Sequence, residues 1–261
     1  RPEAKGSGPQ ARREQPMRYS VVSDIHSNLD ALEAVLAFLG GKNTEATLFC
    51  GDLVGYGAEP DACLERLAAL PGLSAVTGNH DLAVLGKMDL GWFNGHARDA
   101  VIWTRKNLGA RSSAFLESLS DRIETADFTV VHGSPRSPAD EYLLSTEQFL
   151  ANLEHFKVSP CFIGHSHLPV SFCRLPSDRV QGGPVLPGQT LDLAAAGPWI
   201  INPGSVGQPR DGDKRASCGV YDSAARTFEL FRVEYPVAAA QAKIRKAGLP
   251  EMLASRLSFG E

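Results

Sequence analysis

The chain has 261 residues, 43% of them apolar and 21% charged, with 26 Lys plus Arg against 30 Asp plus Glu and a formal net charge of -4. That length and balance suit one soluble globular domain, or at most two, with a sizeable core. The acidic balance argues against stable nucleic-acid binding through phosphate neutralisation, and no apolar run approaches the ~18–20 residues of a membrane-spanning helix.

Residues 1–16 are polar, dotted with Pro and Gly and mixed in charge. They have neither periodicity nor a signal-peptide pattern, so they are expected to be a disordered extension or tag remnant, with Met17 as the natural start and 17–261 as the working domain. From Tyr19 onward, short apolar runs each end in a polar motif: Tyr19–Val22 before Ser23-Asp24, Thr47–Cys50 before Gly51-Asp52, and Leu73–Val76 before Thr77-Gly78-Asn79-His80. The pattern continues with Phe128–Val131 before His132-Gly133, Cys161–Ile163 before Gly164-His165, and Trp199–Ile201 before Asn202-Pro203-Gly204. Such runs predict buried strands. Between them, Leu29, Leu32, Leu36 and Leu39 form a helical stripe behind Asn28 as N-cap. Residues 60–70, entered through Pro60, predict a second helix, and 93–108 and 113–119 two weaker ones. Ser145 and Gln148 form a capping box opening a helix to about Phe156. After Pro169, strands are predicted at 170–175, 199–202, 216–222 and 227–235, with a Pro/Gly-rich loop over 176–198. A helix at 237–247 follows. Strand–helix alternation followed by a strand-rich part predicts a layered α/β fold. The C-terminal apolar residues Ala240, Ile244, Ala247, Leu253 and Leu257 either pack on that domain or pair with a second chain, so an oligomer stays open.

The five cysteines (Cys50, Cys63, Cys161, Cys173, Cys218) are odd in number, widely spaced and without C-x-x-C spacing. They predict buried, reduced thiols in a cytoplasmic protein rather than a zinc or redox motif.

Ligands in open α/β sheets bind beyond the carboxyl ends of strands. The residues there are Asp24, His26, Asp52, Asn79, His80, His132, His165 and His167. Of seven histidines, only His96 and His155 fall elsewhere. Asp24 and His26, like His165 and His167, lie two apart, so an extended segment points both side chains the same way. Carboxylate, imidazole and one amide oxygen without thiolate suit Mn, Fe, Zn or Co. The set exceeds what one ion needs; two divalent ions sharing a carboxylate would use it all, as in hydrolases of phosphate esters.

Asp24-x-His26, Gly51-Asp52, Gly78-Asn79-His80-Asp81, His132 and Gly164-His165-x-His167 closely resemble the calcineurin-like metallophosphoesterase superfamily, in order and complete over residues 24–167. The resemblance implies a four-layer α/β/β/α sandwich of two mixed sheets and a binuclear metal centre. It places Asp24, His26, Asp52 and His167 on the first metal, and Asp52 as the bridge with Asn79, His132 and His165 on the second. His80 matches the family's non-ligand histidine, which contacts substrate phosphate and protonates the leaving oxygen. Attack by a hydroxide bridging the two cations is the implied chemistry. Asp81 either orients His80 or caps the next helix.

The Asp-Arg pair of the superfamily's Ser/Thr protein phosphatases is replaced here by Gly55-Tyr56. That departure, with the run Asn202–Arg210, resembles the small prokaryotic phosphodiesterase and dinucleoside-polyphosphatase-like branch. Asn79, Tyr56, Arg136 and Arg210 are the candidate substrate contacts. The expected reaction is hydrolysis of a phosphodiester or nucleotide phosphoanhydride in a small phosphorylated substrate. A broad or protein phosphomonoesterase is the alternative, and a non-catalytic scaffold on the same fold a third. The aromatic residues at 92, 93 and 103 are expected to pack in the core or a lid rather than stack a base, and His96 and His155 to lie on helices.

Overall fold

A computed structural model describes residues 17–261; the expected extension over 1–16 lies outside the described residues. The elements run β1 (Arg18–Val22), α1 (Leu29–Gly40), β2 (Ala46–Phe49), α2 (Pro60–Ala68), β3 (Leu73–Ala75), α3 (Asn79–Val84), α4 (Gly95–Asn107), α5 (Ala110–Ser118), β4 (Arg122–Glu124) and β5 (Thr129–Val131). They continue α6 (Thr146–Asn152), β6 (Cys161–Phe162), β7 (Pro169–Arg174), β8 (Val180–Pro184), β9 (Thr190–Asp192), β10 (Trp199–Pro203), β11 (Ala216–Asp222), β12 (Thr227–Val233), α7 (Val237–Lys246) and α8 (Glu251–Ser255).

Two six-stranded sheets result, ordered β3-β2-β1-β11-β12-β9 and β4-β5-β6-β10-β7-β8. β1, β2 and β3 are parallel, as are β5, β6 and β10, while β11, β12 and β7 join antiparallel. The period-2 alternation of a strand sends neighbouring residues into different layers. Val21 and Leu48 enter the space between the sheets with Val130, Phe162, Ile201 and Phe228. Their neighbours Val22 and Phe49 meet Leu32 and Val35 of α1 and Ile244 of α7. Val131, Cys161 and Ile200 face outward onto Phe149 of α6 and Phe156. The central strands β1, β2, β5, β6 and β10 are therefore buried on both faces, which is why their runs read as continuously apolar. The architecture is the expected α/β/β/α sandwich.

Local chemistry explains the helix starts. The Asn28 side chain accepts from the Ala31 N–H to open α1. Ser145 and Gln148 close a reciprocal box at α6, Ser145 Oγ accepting from Gln148 N–H and Gln148 Oε1 from Ser145 N–H. The C-terminal residues Ala240, Ile244, Leu253 and Leu257 are buried against the first sheet's helices, so they complete this chain's own core. All five cysteines are buried and free.

Three differences from the sequence reading appear. The predicted loop over 176–198 contains β8 and β9, both at sheet edges, where the Gly and Pro of Val-Gln-Gly-Gly-Pro are tolerated and hide the strand signal. β4 is also unpredicted; it pairs with β5 through three residues only. Helix α5 begins at Ala110 rather than 113. Among the described residues no helix is long and apolar enough to cross a membrane.

Candidate active site

The site lies beyond the carboxyl ends of β1, β2, β3, β5, β6 and β10, where both sheets deliver their loops to one place. The loops after β1 and β2 are laced together by backbone bonds: Asp24 N–H to Gly51 O, His26 N–H to Asp52 O and Ser27 N–H to Leu53 O. The loop after β10 locks onto the first of these through Val206 N–H to Ser23 O, Gly207 N–H to Asp24 O and Ser205 Oγ to Asp24 O. Ten non-glycine residues among those described have φ in the left-handed region, and six are Asp24, His26, Asp52, Tyr56, His165 and His167. That conformation costs about 1–3 kcal/mol per residue and persists only where the surroundings enforce it. The lacing does so here, and its concentration at these six positions marks them as a built site.

Two groups of buried side chains are poised to share cations: Asp24, His26 and His167, and Asp52, His132 and His165. His26 Nε2 stands 3.6 Å from Asp52 Oδ2, and His132 Nε2 stands 3.3 Å from the same oxygen. Asp52 therefore joins the groups. His167 Nε2 is 3.4 Å from Asp24 Oδ1. The Asn79 amide oxygen reaches His132 Nε2 at 3.1 Å and His165 Nδ1 at 3.0 Å. All seven expected metal ligands thus meet.

The outer nitrogens settle the tautomers. A backbone carbonyl only accepts, so Nδ1 carries the hydrogen where it faces one: His26 to Val54 O at 2.9 Å, His132 to Cys50 O at 2.7 Å and His167 to Gln208 O at 2.5 Å. In the neutral rings Nε2 is then a bare lone pair aimed inward. Burial holds the His26 and His167 pKa values well below the ordinary value, so both rings stay neutral. Yet their Nε2 atoms sit 3.0 Å apart, two acceptors with no proton between them. A bound cation relieves that repulsion. His165 Nε2 is likewise buried without a partner. The donor set fits two divalent ions.

Charge within the site is strongly coupled. Burial pushes the Asp52 carboxyl up, but the imidazoles of His132 and His80 outweigh it and hold it well below the usual range. Burial lowers His132, but Asp52 outweighs that and raises it to about 9. Burial raises Asp24 to about 7 and lowers His165 to about 3.

His80 lines the cleft with only a small part of its surface exposed, its ring 4.9 Å from His26, 4.4 Å from Tyr56 and 4.9 Å from Phe93. Burial lowers it to about 4, and its Nδ1 has no partner. Gly55 explains why: at φ +88° its Cα lies so close that any Cβ would strike His80 Nδ1. No carboxylate among the described residues partners that nitrogen. Asp81 does not serve there. As the third residue of α3, its carboxylate accepts from Asp52, Leu53, Val54 and Gly78 N–H at 3.0–3.1 Å. It fixes the Asp52 loop and caps α3 together. Burial pushes its carboxyl up to about 7, against backbone donors that favour the ionised form.

A cleft of about 320 Å³ opens over the centre. Tyr56 and Arg210 line it. Arg210 Nη2 donates to Tyr56 Oη at 3.3 Å and Gln208 Oε1 at 2.9 Å, with no carboxylate partner among the described residues. Its Nε is buried and unpartnered. Arg136 is placed elsewhere. It pairs with Glu141 in a surface ion pair and does not line the cleft, because Glu141 is fixed by Ser134 and Asn152 on the loop's far side.

Several residues that build the site went unread in the sequence. Asn202 Nδ2 donates to Gly164 O at 2.6 Å and Ser166 Oγ at 3.0 Å, so it positions the His165–His167 loop. Gln208 acts through its backbone carbonyl, which no residue-type rule could flag. Trp92 is 85% exposed and lines the cleft, contrary to the expected packing, and Tyr142 stacks 4.1 Å from the His165 ring. Trp103 does pack, its Nε1 donating to Ala247 O. His96 and His155 are exposed.

Comparison with known proteins agrees. The model of the calcineurin-like phosphoesterase superfamily domain matches residues 17–225. An uncharacterized protein of Methanocaldococcus jannaschii is 38% identical, the match covering 92% of this chain and 97% of that one. The crystal structure of a metallophosphoesterase from Sphaerobacter thermophilus superposes with a TM-score of 0.85 at 42% identity, covering 95% and 100% of the two chains. A hypothetical protein from Pyrococcus horikoshii shares the fold, with a TM-score of 0.75 at 18% identity over 94% and 98%. With ligand order, sandwich and strand-end site all in register, the chain belongs to the calcineurin-like phosphoesterase superfamily and is a phosphoric ester hydrolase.

Proposed function

We propose that the chain is a two-metal hydrolase of phosphodiester or nucleotide phosphoanhydride bonds in a small phosphorylated substrate. The observation that carries the reading is the pair of Asp/His groups joined at Asp52, with bare Nε2 atoms only 3.0 Å apart at His26 and His167. Asp24, His26, Asp52 and His167 would hold one divalent ion, and Asp52, Asn79, His132 and His165 the other; Mn, Fe, Zn and Co all suit these donors. Such ions, when bound, supply charge neutralisation at the phosphoryl oxygens and a water acidic enough to serve as nucleophile for in-line attack.

The chain's own residues do the rest. Backbone carbonyls of Cys50, Val54 and Gln208 hold three imidazoles in the ligating tautomer. His80, on the cleft wall, contacts the phosphate and gives a proton to the leaving oxygen; an entering phosphate's negative charge opposes the burial that lowers its pKa. Arg210, with no carboxylate to satisfy, grips a non-bridging phosphate oxygen, and Tyr56 Oη steers its guanidinium. The intact constellation at His80 and all seven ligands disfavours a scaffold role.

The test is hydrolysis of bis-p-nitrophenyl phosphate, p-nitrophenyl phosphate and diadenosine tetraphosphate with added Mn²⁺, for wild type, Asp52→Asn and His80→Ala. The reading expects diester or anhydride turnover to fall to background in Asp52→Asn and by roughly 10²–10⁴-fold in His80→Ala. Full turnover after chelation, or preference for the monoester, contradicts it.

A further inference from the structure

The cleft's rim is aromatic on both sides. From the first sheet's side come Trp92 and Phe93, presented by the short turn Leu90–Trp92, which the Asp89 carboxylate closes by accepting from Gly91 N–H at 2.9 Å. From the second sheet's side comes Tyr142, which follows β5 and stands 46% exposed beside His165. A single exposed aromatic is ordinary on a protein surface. Aromatic side chains from two separate segments, lining one cleft with His80, His165 and Arg210, are not. Trp92 leaves most of a large indole in water although a helix begins just behind it at Gly95, with Asn94 capping through Ala97 N–H. A flat partner covering that ring would recover the lost burial.

The charge of the lining narrows the partner further. Arg210 is the one Lys or Arg side chain among the lining residues, whereas Asp140 places a second carboxylate at the rim beyond Asp52. A polyphosphate chain brings charge at every phosphate and would meet Asp140 with no further cation to offset it. One phosphate at the Asp/His centre, gripped by Arg210, leaves the rim free for a neutral ring and its sugar. The Asp140 carboxylate can accept from sugar hydroxyls. A volume of about 320 Å³ suits a ligand of that size.

We propose that the substrate is a diester of a nucleoside monophosphate, its base stacked on the aromatic rim of Trp92, Phe93 and Tyr142 and its single phosphate at the Asp52 centre beside Arg210. This rests on the two-metal hydrolase reading for its chemistry: water adds across one P–O bond, its OH joining phosphorus and its hydrogen the leaving oxygen, to give a nucleoside monophosphate and an alcohol. The aromatic subsite itself is independent of turnover.

Two measurements test it. Trp92 is the most exposed of the three tryptophans, so AMP should quench fluorescence excited at the indole edge of the full chain, saturably, while ribose 5-phosphate should not, and Trp92→Leu should abolish the quench. Thymidine 5′-(p-nitrophenyl phosphate) and ethyl p-nitrophenyl phosphate then share a leaving group but differ in the base. With Mn²⁺ present, Trp92→Leu should lower kcat/KM on the nucleoside ester about tenfold, mainly through KM, the size of one stacking contact, and change the ethyl ester less than about twofold. Equal losses on both esters, equal responses to AMP and ribose 5-phosphate, or a preference for diadenosine tetraphosphate over the nucleoside diester would overturn the proposal. Base-dependent quenching without turnover of any ester would uphold the subsite while sinking the diester hydrolase reading.

Discussion

Asp81→Asn should destabilise the protein by about 4 kcal/mol without altering any group that touches substrate. The wild-type carboxylate is fully buried and takes four backbone hydrogens, two on each oxygen: Leu53 and Val54 on Oδ1, Asp52 and Gly78 on Oδ2. An asparagine keeps one acceptor oxygen and so two of these bonds. Its NH₂ then faces two N–H donors that have no other partner. Each buried donor left unsatisfied costs about 1–3 kcal/mol, so two cost about 4 together. For a domain of this size that corresponds to roughly 8–16 °C in Tm. The assay is thermal unfolding in chelator, so that bound metal does not mask the loss. Because the same bonds place the Asp52 backbone, the variant should also bind Mn²⁺ more weakly. A Tm within about 2 °C of wild type would refute the claim that Asp81 holds this loop.

Further outcomes follow from other residues. Gly55→Ala should lower kcat by about 10²-fold or more, because the new methyl displaces the His80 ring, while Tm also falls, by the cost of a positive φ plus about 1–3 kcal/mol of overpacking against the buried ring; unchanged kcat would show that His80 has no catalytic placement to lose. Arg210→Ala should reduce kcat/KM roughly 10–100-fold, the worth of one charge-assisted hydrogen bond, chiefly through KM, and an unaltered KM would remove it from the phosphate site. The metal-free protein should lose stability as pH falls from 6.5 to 5. Four buried histidines (His26, His80, His165, His167) refuse protons that the unfolded chain accepts below 6.5, against two carboxyls, Asp24 and Asp81, that retain protons up to about 7. Unfolding near pH 5 therefore takes up a net two protons, about 3 kcal/mol per pH unit. On the alkaline side His132, raised to about 9 by Asp52, contributes stability that is complete below 6.5 and disappears as pH rises through 9. A flat Tm between pH 5 and 6.5 in chelator would contradict this balance.

What the sequence disclosed, it disclosed through burial and ligand chemistry. Doubly covered central strands must be apolar throughout, so β1, β2, β5, β6 and β10 stood out together with the polar residues at their ends. The ligands were legible because Asp, His and Asn at successive strand ends have a shared chemical use. Edge strands β8 and β9 were not legible, since an edge position relaxes the very rules that identify strands. Roles carried by backbone atoms, such as the Gln208 carbonyl behind His167, leave no residue-type signal. Arg136 and Trp92 were misplaced for one reason: which way a side chain turns depends on partners elsewhere in the chain. Glu141 draws Arg136 away, and the turn closed by Asp89 holds Trp92 over the cleft.

The most direct test of the central claim is metal content by mass spectrometry alongside diester hydrolysis, on protein stripped with chelator and then reloaded with Mn²⁺, for wild type and Asp52→Asn. The expected result is two ions per wild-type chain, activity that vanishes on stripping and returns on reloading, and an Asp52→Asn variant that holds fewer ions and stays inactive. A wild-type chain that binds no divalent ion, or that hydrolyses the diester equally well without one, would contradict it.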